Sequence, residues 1–199
     1  MKQYLTAMQS FAKPKMVLIT FVLFIGIYTL LNYTNLPFSI PSLQDVSGGK
    51  TILNVLPHYD ANGAYDHIAS YSSEGIDIYY RILLIDVFAL IPIYLLFLTT
   101  GVLHAGSLVL RRYRGKNFLH VLAVLPTVAA VLNFFEDGII VYLIEAYPSR
   151  YDTLAALCGF ITSTKSLFIM IPLLAIAIFY LLVGFSRLTY LVGLRKCHI

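Results

Sequence analysis

Four apolar runs, each close to or beyond the length needed to cross a bilayer, constrain this chain more than any other feature. They are Met16 to Leu31, Ile82 to Leu103, Phe118 to Phe135 and Leu167 to Phe185. About 30 Å of hydrocarbon is spanned by roughly twenty helical residues at about 1.5 Å each. Inside lipid the backbone must satisfy its own hydrogen bonds, so runs of this length are helices. The expected fold is all-α: a polytopic membrane protein built as a four-helix transmembrane bundle, one domain over 1–199. The spans should cover about 16–32, 81–104, 118–137 and 166–185, with an extracytoplasmic loop over 33–78 and helices extended on that side.

Composition agrees. Only 12% of residues are charged and mean hydropathy is +0.80, whereas soluble domains carry about 25% charged residues. The net charge of +4 does not imply a nucleic-acid partner, because the basic residues sit beside the spans. Lys2, Lys13 and Lys15 precede the first run. Arg111, Arg112, Arg114 and Lys116 lie between the second and third, and Arg187, Arg195 and Lys196 follow the fourth. These are ten of the fourteen Lys and Arg; Lys50, Arg81 and Arg150 lie in the opposite flanks, and Lys165 at a span end. By the positive-inside rule both termini are cytoplasmic and the site of residence is a cell membrane. No small-x-small cleavage pattern follows the first run, so it is expected to be a retained signal anchor. Tyr4, Leu5, Met8 and Phe11, and later Leu188, Leu191 and Leu194, recur at the spacing of interfacial helices. Cys158 and Cys197 fall on opposite sides of this topology, and without a C-x-x-C neither disulfide pairing nor thiol exchange is expected.

The outer loop is rich in Pro, Gly, Ser and Tyr. Pro37 and Pro41 with Gly48-Gly49 read as irregular chain and a turn, and Asp60-Ala-Asn-Gly63 as a turn into a helix over Ala64 to Ser73, stopped by Gly75. A second helix is expected from Ile76 into the second span, with Tyr79, Tyr80 and Arg81 at the interface. A segment this short cannot hold a core of its own, so it should pack on the bundle. The third and fourth spans keep helical character up to a turn at Tyr147 to Tyr151.

Asp86, Glu136, Asp137 and Lys165 stand on three different spans, each about twenty residues from its cytoplasmic end. Ionisable groups at membrane depth are costly and face a bundle interior or a cavity. The third span carries a stripe of Pro126, Ala129, Ala130, Asn133 and Glu136 or Asp137. The fourth carries Ala155, Cys158, Gly159, Thr162, Lys165 and Ser166. Small residues at this spacing let membrane helices approach closely. Asn133 and Asp137 should face the fourth-span stripe, Lys165 should pair with Asp137 first and Glu136 second, Asp86 should close the cluster and Arg81 should sit above it. Such a cluster serves as helix glue or as a ligand, proton or ion site, unless its members snorkel separately to the interface without mutual contact. Pro92, Pro126 and Pro172 lie inside spans, where prolines kink helices.

Other constellations are weaker. His58, Asp60, Asp66 and His67 fall within ten residues, but their spacing matches no zinc or EF-hand pattern. His104 and His120 lie too near span ends to hold a haem, so no cofactor is expected. No nucleophile elbow, P-loop or H-E-x-x-H is present. The leading expectation is a non-enzymatic protein that binds a lipid or small amphipathic ligand, or serves as an accessory subunit, through an outer-level polar cavity. Its partners would be membrane lipid and either a second copy or a larger membrane complex. The alternatives are an intramembrane enzyme using Glu136 or Asp86 as an acid beside Lys165, and a proton- or ion-coupled transporter subunit.

Overall fold

The computed structural model describes residues 2–109 and 116–196, with side chains described over 7–109 and 117–186. The basic loop of Arg111, Arg112 and Arg114, and Cys197, lie outside the described residues. So do the side chains of Lys2, Tyr4, Leu5, Lys116, Arg187, Leu188, Leu191, Leu194, Arg195 and Lys196.

The described chain is helical, without strands. Helix α1 (Lys2–Phe11) is followed by α2 (Pro14–Tyr33), then by α3 (Ile40–Val46), a 3₁₀ turn at Leu53–Val55 and α4 (Ala61–Ile68). Helix α5 (Ser73–Ile85) continues through a π-helical turn (Asp86–Leu90) into α6 (Ile91–Val109). Two long helices complete the chain, α7 (Lys116–Ala146) and α8 (Asp152–Lys196). Four helical stretches are long and apolar enough to cross a membrane: Pro14–Tyr33, Ser73–Val109, Asn117–Ala146 and Asp152–Ser186. Helix α7, with 31 residues, is about 46 Å long at about 1.5 Å per residue, well beyond the roughly 30 Å of hydrocarbon. The 34–72 connection packs over the Ala146 end of α7, against Ile140, Leu143 and Ile144.

Local chemistry sets the outer elements. Ser39 caps α3, its side chain accepting from the Ser42 amide, and Pro41 occupies the first turn, where a missing N–H costs nothing. Pro41 therefore starts a helix where irregular chain was expected. Gly48 and Gly49 form the turn, with φ of 60° and 82°. Asp60 accepts from the Gly63 amide and caps α4, so that helix starts at Ala61 and ends at Ile68. Gly75 is not a stop: Ser72 accepts from its amide, which places Gly75 in the first turn of α5. Its lack of a side chain admits Ser47, whose Oγ would lie 2.7 Å from a Cβ at 75.

The three prolines act unequally. Pro92 cannot donate to the carbonyl one turn back, and the turn before it is wound wide, with the Ile91 amide bonded to the Asp86 carbonyl. Pro126 and Pro172 also leave a carbonyl one turn back without its amide donor, yet α7 and α8 each continue through them as a single helix.

Two apolar cores result. The outer one packs α3, α4 and the 3₁₀ turn onto α5 and the outer halves of α7 and α8, through residues such as Leu43, Leu53, Tyr79, Leu143 and Cys158. The inner one joins α6 to α7 and α8 through Leu98, Val102, Ala123 and Ile176. Helix α2 lies at the periphery, with Phe21 and Phe24 against Phe97 of α6 at ring-centroid distances of 5.3 and 5.6 Å. Tyr79, expected at the interface, is wholly buried in the outer core.

Candidate functional site

Between the two cores lies a polar layer. Helix α7 turns its small and polar stripe inward: Pro126, Ala129, Ala130, Asn133, Glu136 and Asp137 are all buried. Helix α8 does the same with Ala155, Cys158, Gly159, Thr162 and Lys165. Close approach along these stripes brings the polar ends together.

Asn133 is the hub. Its amide nitrogen donates to Asp86 at 2.5 Å and more weakly to Asp137 at 3.4 Å, while its carbonyl oxygen accepts from the Lys165 ammonium. Lys165 also forms an ion pair with Glu136, both side chains almost completely buried. The other Glu136 oxygen accepts from Thr162 at 2.6 Å. The preferred pairing of Lys165 with Asp137 is therefore corrected: Glu136 faces α8. Its neighbour, displaced by about 100° around the helix, faces the α5 side.

Asp137 is held instead by the outer connection. Its carboxylate accepts from the Asn54 amide at 2.6 Å, and Asn54 in turn accepts from the Tyr79 hydroxyl at 2.8 Å. The Tyr79 oxygen receives the Leu53 amide at 3.0 Å. On the α8 side the Tyr59 hydroxyl lies 3.3 Å from Thr162 Oγ1, and Ser163 donates to the Pro57 carbonyl at 3.0 Å. Thr162 has one proton, and its shortest acceptor is Glu136, with the Cys158 carbonyl at 3.0 Å and the Tyr59 hydroxyl further away. Residues 52–60 thus form a strap that closes the layer from above. Burial pushes the Tyr59 hydroxyl far above the usual tyrosine range, so it is a neutral donor here.

Asn54 and Tyr59 are site residues that the sequence did not single out, and Tyr79, expected at the interface, joins them through Asn54. A signal for the strap existed: Ile52, Leu53, Val55 and Leu56 make an apolar island in an otherwise polar loop. Arg81, expected above Asp86, is not part of the layer. It is exposed and reaches the Pro37 carbonyl, because its position on α5 points away from α7. His58, Asp60, Asp66 and His67 do not converge: Asp60 is engaged as the α4 cap, and His67 contacts the Gly63 carbonyl. Among the described residues no group of three or more His, Cys, Asp or Glu could hold a metal ion. His104 contacts the Ala12 carbonyl at 3.0 Å, tying α6 to the α1–α2 junction.

A groove of about 470 Å³ opens beside the layer, between α5 with its π turn and α7. Its walls include Leu84, Val87, Phe88 and Phe134. Leu84, Phe88 and Phe134 are more than half exposed, so the groove opens on the apolar outer surface of the spans. Asp137 and Gly138 lie at the α7 side, and Tyr80 and Glu145, themselves hydrogen-bonded, lie one to two turns further out.

No protein-family model, curated protein or solved structure matches this chain. Its function has to be read from the chemistry of the layer and the groove.

Proposed function

We propose that this protein, resident in a cell membrane with both terminal segments on the cytoplasmic side, binds a lipid-like amphiphile in the α5–α7 groove without chemically transforming it. The observation that carries this reading is the groove's composition and aspect. It is apolar along its length, it faces the region occupied by acyl chains, and it has acidic groups only at Asp137 and at the Tyr80–Glu145 rim. Binding sites for amphiphiles share this pattern of apolar walls with a few polar groups that fix orientation. Binding rather than turnover is favoured because the layer's carboxylates are engaged with amides or an ammonium. The basic segments Lys13 and Lys15, Arg111 to Lys116 and Arg187 to Lys196 support the orientation.

Gly138 provides the test. A Cβ built there meets nothing within 4 Å, so Gly138→Leu adds bulk at the groove wall without a clash at its Cβ. Native mass spectrometry of protein extracted from membranes should find a retained amphiphile on the wild type. On Gly138→Leu, with an unchanged melting temperature, occupancy should fall about tenfold or more. Equal occupancy of the two proteins, or none on the wild type, would overturn the proposal.

A further inference from the structure

The polar layer is unevenly neutralised. Among the described residues it holds three carboxylates, the buried Glu136 and Asp137 and the half-buried Asp86, and one buried ammonium, Lys165. Lys165 is committed to Glu136 and to the Asn133 carbonyl. Asp86 and Asp137 lie on either side of the Asn133 amide nitrogen, and Asp137 has the Asn54 amide as well. The donors that reach these two carboxylates, Asn133 for both and Asn54 for Asp137, are neutral amides, so within the layer the pair lacks a cation of its own, and close like charges without one are unfavourable in a low-dielectric setting.

An independent feature marks the same place. The Tyr94 side chain of α6 is 4% exposed, and its hydroxyl has no hydrogen-bond partner among the described residues. The phenol lies within electrostatic reach of Asp86 foremost, and of Asp137 and Glu136. A buried hydroxyl without a partner has given up its hydrogen bonds to water with nothing in return. Lying within the field of the two under-neutralised carboxylates, this one can take up a partner when the site is filled. The groups facing the Asp86–Asp137 pair are Lys165 from α8, Glu136 from α7, Tyr94 from α6 and, through Asn54, Tyr79 from α5.

The other half of the layer supplies the template for that partner. There a primary ammonium sits between a carboxylate and an amide carbonyl. Asp137 also lines the groove, so a head group entering from the lipid meets this member of the pair first. We infer that the Asp86–Asp137 pair, with Tyr94, is an exchangeable cation site that holds a proton when the groove is empty and the primary ammonium head group of an amphiphile when it is filled. This rests on the groove reading above and narrows it to cationic amphiphiles. In the exchange the protonated carboxyl gives its O–H proton to solvent. The resulting carboxylate accepts N–H hydrogen bonds from the incoming ammonium, so the charge of the site is unchanged. No covalent bond other than that O–H is broken.

The test uses full-length protein in nanodiscs of zwitterionic lipid. Dodecylamine, protonated at neutral pH, and dodecanol are titrated in two buffers of different ionisation enthalpy, with protein-free nanodiscs subtracted. Dodecylamine should bind at least about tenfold more tightly than dodecanol and release about one proton per molecule bound at neutral pH. Asp86→Asn should bind the amine without releasing a proton. Tyr94→Phe, which removes only an unpartnered hydroxyl and so should fold at least as well as the wild type, should weaken amine binding while leaving dodecanol binding unchanged. Equal binding of both probes with no proton release, both abolished by Gly138→Leu, would overturn the cation site and leave the groove reading standing. Binding of neither probe, or binding indifferent to Gly138→Leu, would sink the groove reading and this inference with it. Unaltered amine binding and proton release in Tyr94→Phe would remove Tyr94 from the site.

Discussion

The backbone carbonyl of Tyr59 rests against Gly159 of α8 so closely that a methyl group at 159 would lie 2.1 Å from the oxygen. This contact seats the strap over the polar layer. A backbone carbonyl cannot swing aside as a side-chain tip does, so Gly159→Ala must lift residues 52–60 off α8. Overpacking of this kind costs about 1–3 kcal/mol. The expected outcome is a lower melting temperature and faster amide exchange confined to the strap. Gly184→Ala is the control, because a Cβ there meets nothing. Unchanged exchange at 52–60 in Gly159→Ala would mean that the strap is not seated by this contact.

Asn54 joins Tyr79 in the outer core to Asp137 in the polar layer. Asn54→Leu keeps comparable bulk but strips the Asp137 carboxylate of a donor and the Tyr79 hydroxyl of an acceptor. The loss should be about 1–3 kcal/mol. Adding Tyr79→Phe should cost less in the Asn54→Leu background than in the wild type, since part of the network is already gone. Strict additivity in thermal unfolding would show that the two side chains act independently.

The four spans and the common depth of Asp86, Glu136, Asp137 and Lys165 were legible because hydropathy and helical rise act along one axis. What was not legible depends on rotation and on long-range contact. Glu136 and Asp137 are sequence neighbours, and a helix rotation of some tens of degrees decides which meets Lys165. That rotation is set by how the small stripe of α8 seats on α7. Arg81 was misplaced for the same reason: the right depth on the wrong face. Asn54 and Tyr59 belong to a connection with no periodicity, and their partners lie more than eighty residues away. Only the apolar island around Asn54, and Gly159 within a stripe of small residues, hinted that something packs there.

Tyr59 and Tyr71 both lie in the outer connection, and burial raises the proton affinity of each above the ordinary value of 10.0. In the unfolded chain these phenols ionise near that ordinary value, while in the folded protein they hold their protons to higher pH. Above about pH 10 the unfolded state therefore binds fewer protons than the native state, and stability falls as pH rises. Below that pH both states are protonated and these groups add no slope. The melting temperature should be level with respect to these groups from about pH 8 to about pH 9.5 and drop progressively above about pH 10. In Tyr71→Phe, which also gives up the bond to the Thr51 carbonyl, the midpoint should be lower at about pH 8 but the alkaline drop shallower. An equally steep drop would exclude Tyr71 as one of its causes.

The Lys165–Glu136 pair makes an asymmetric prediction. Removing the ammonium in Lys165→Met leaves Glu136 buried without its cation and the Asn133 carbonyl without its donor. Breaking a buried pair from one side costs about 3–5 kcal/mol, enough to threaten folding. Neutralising both ends, with Glu136→Gln added to Lys165→Met, removes the uncompensated charge, and the new side-chain amide carbonyl still offers an acceptor to Thr162. The double variant should therefore regain a large part of the lost stability. The same logic separates the two neighbouring carboxylates. If Glu136 is the partner of Lys165, Asp137→Asn should rescue Lys165→Met far less than Glu136→Gln does, because Asp137 is held by Asn54 and Asn133. Unfolding in a mixed detergent series at neutral pH provides the comparison. Equal rescue by the two neutralisations would mean that the layer responds only to its total charge, and the assignment of Lys165 to Glu136 would fail.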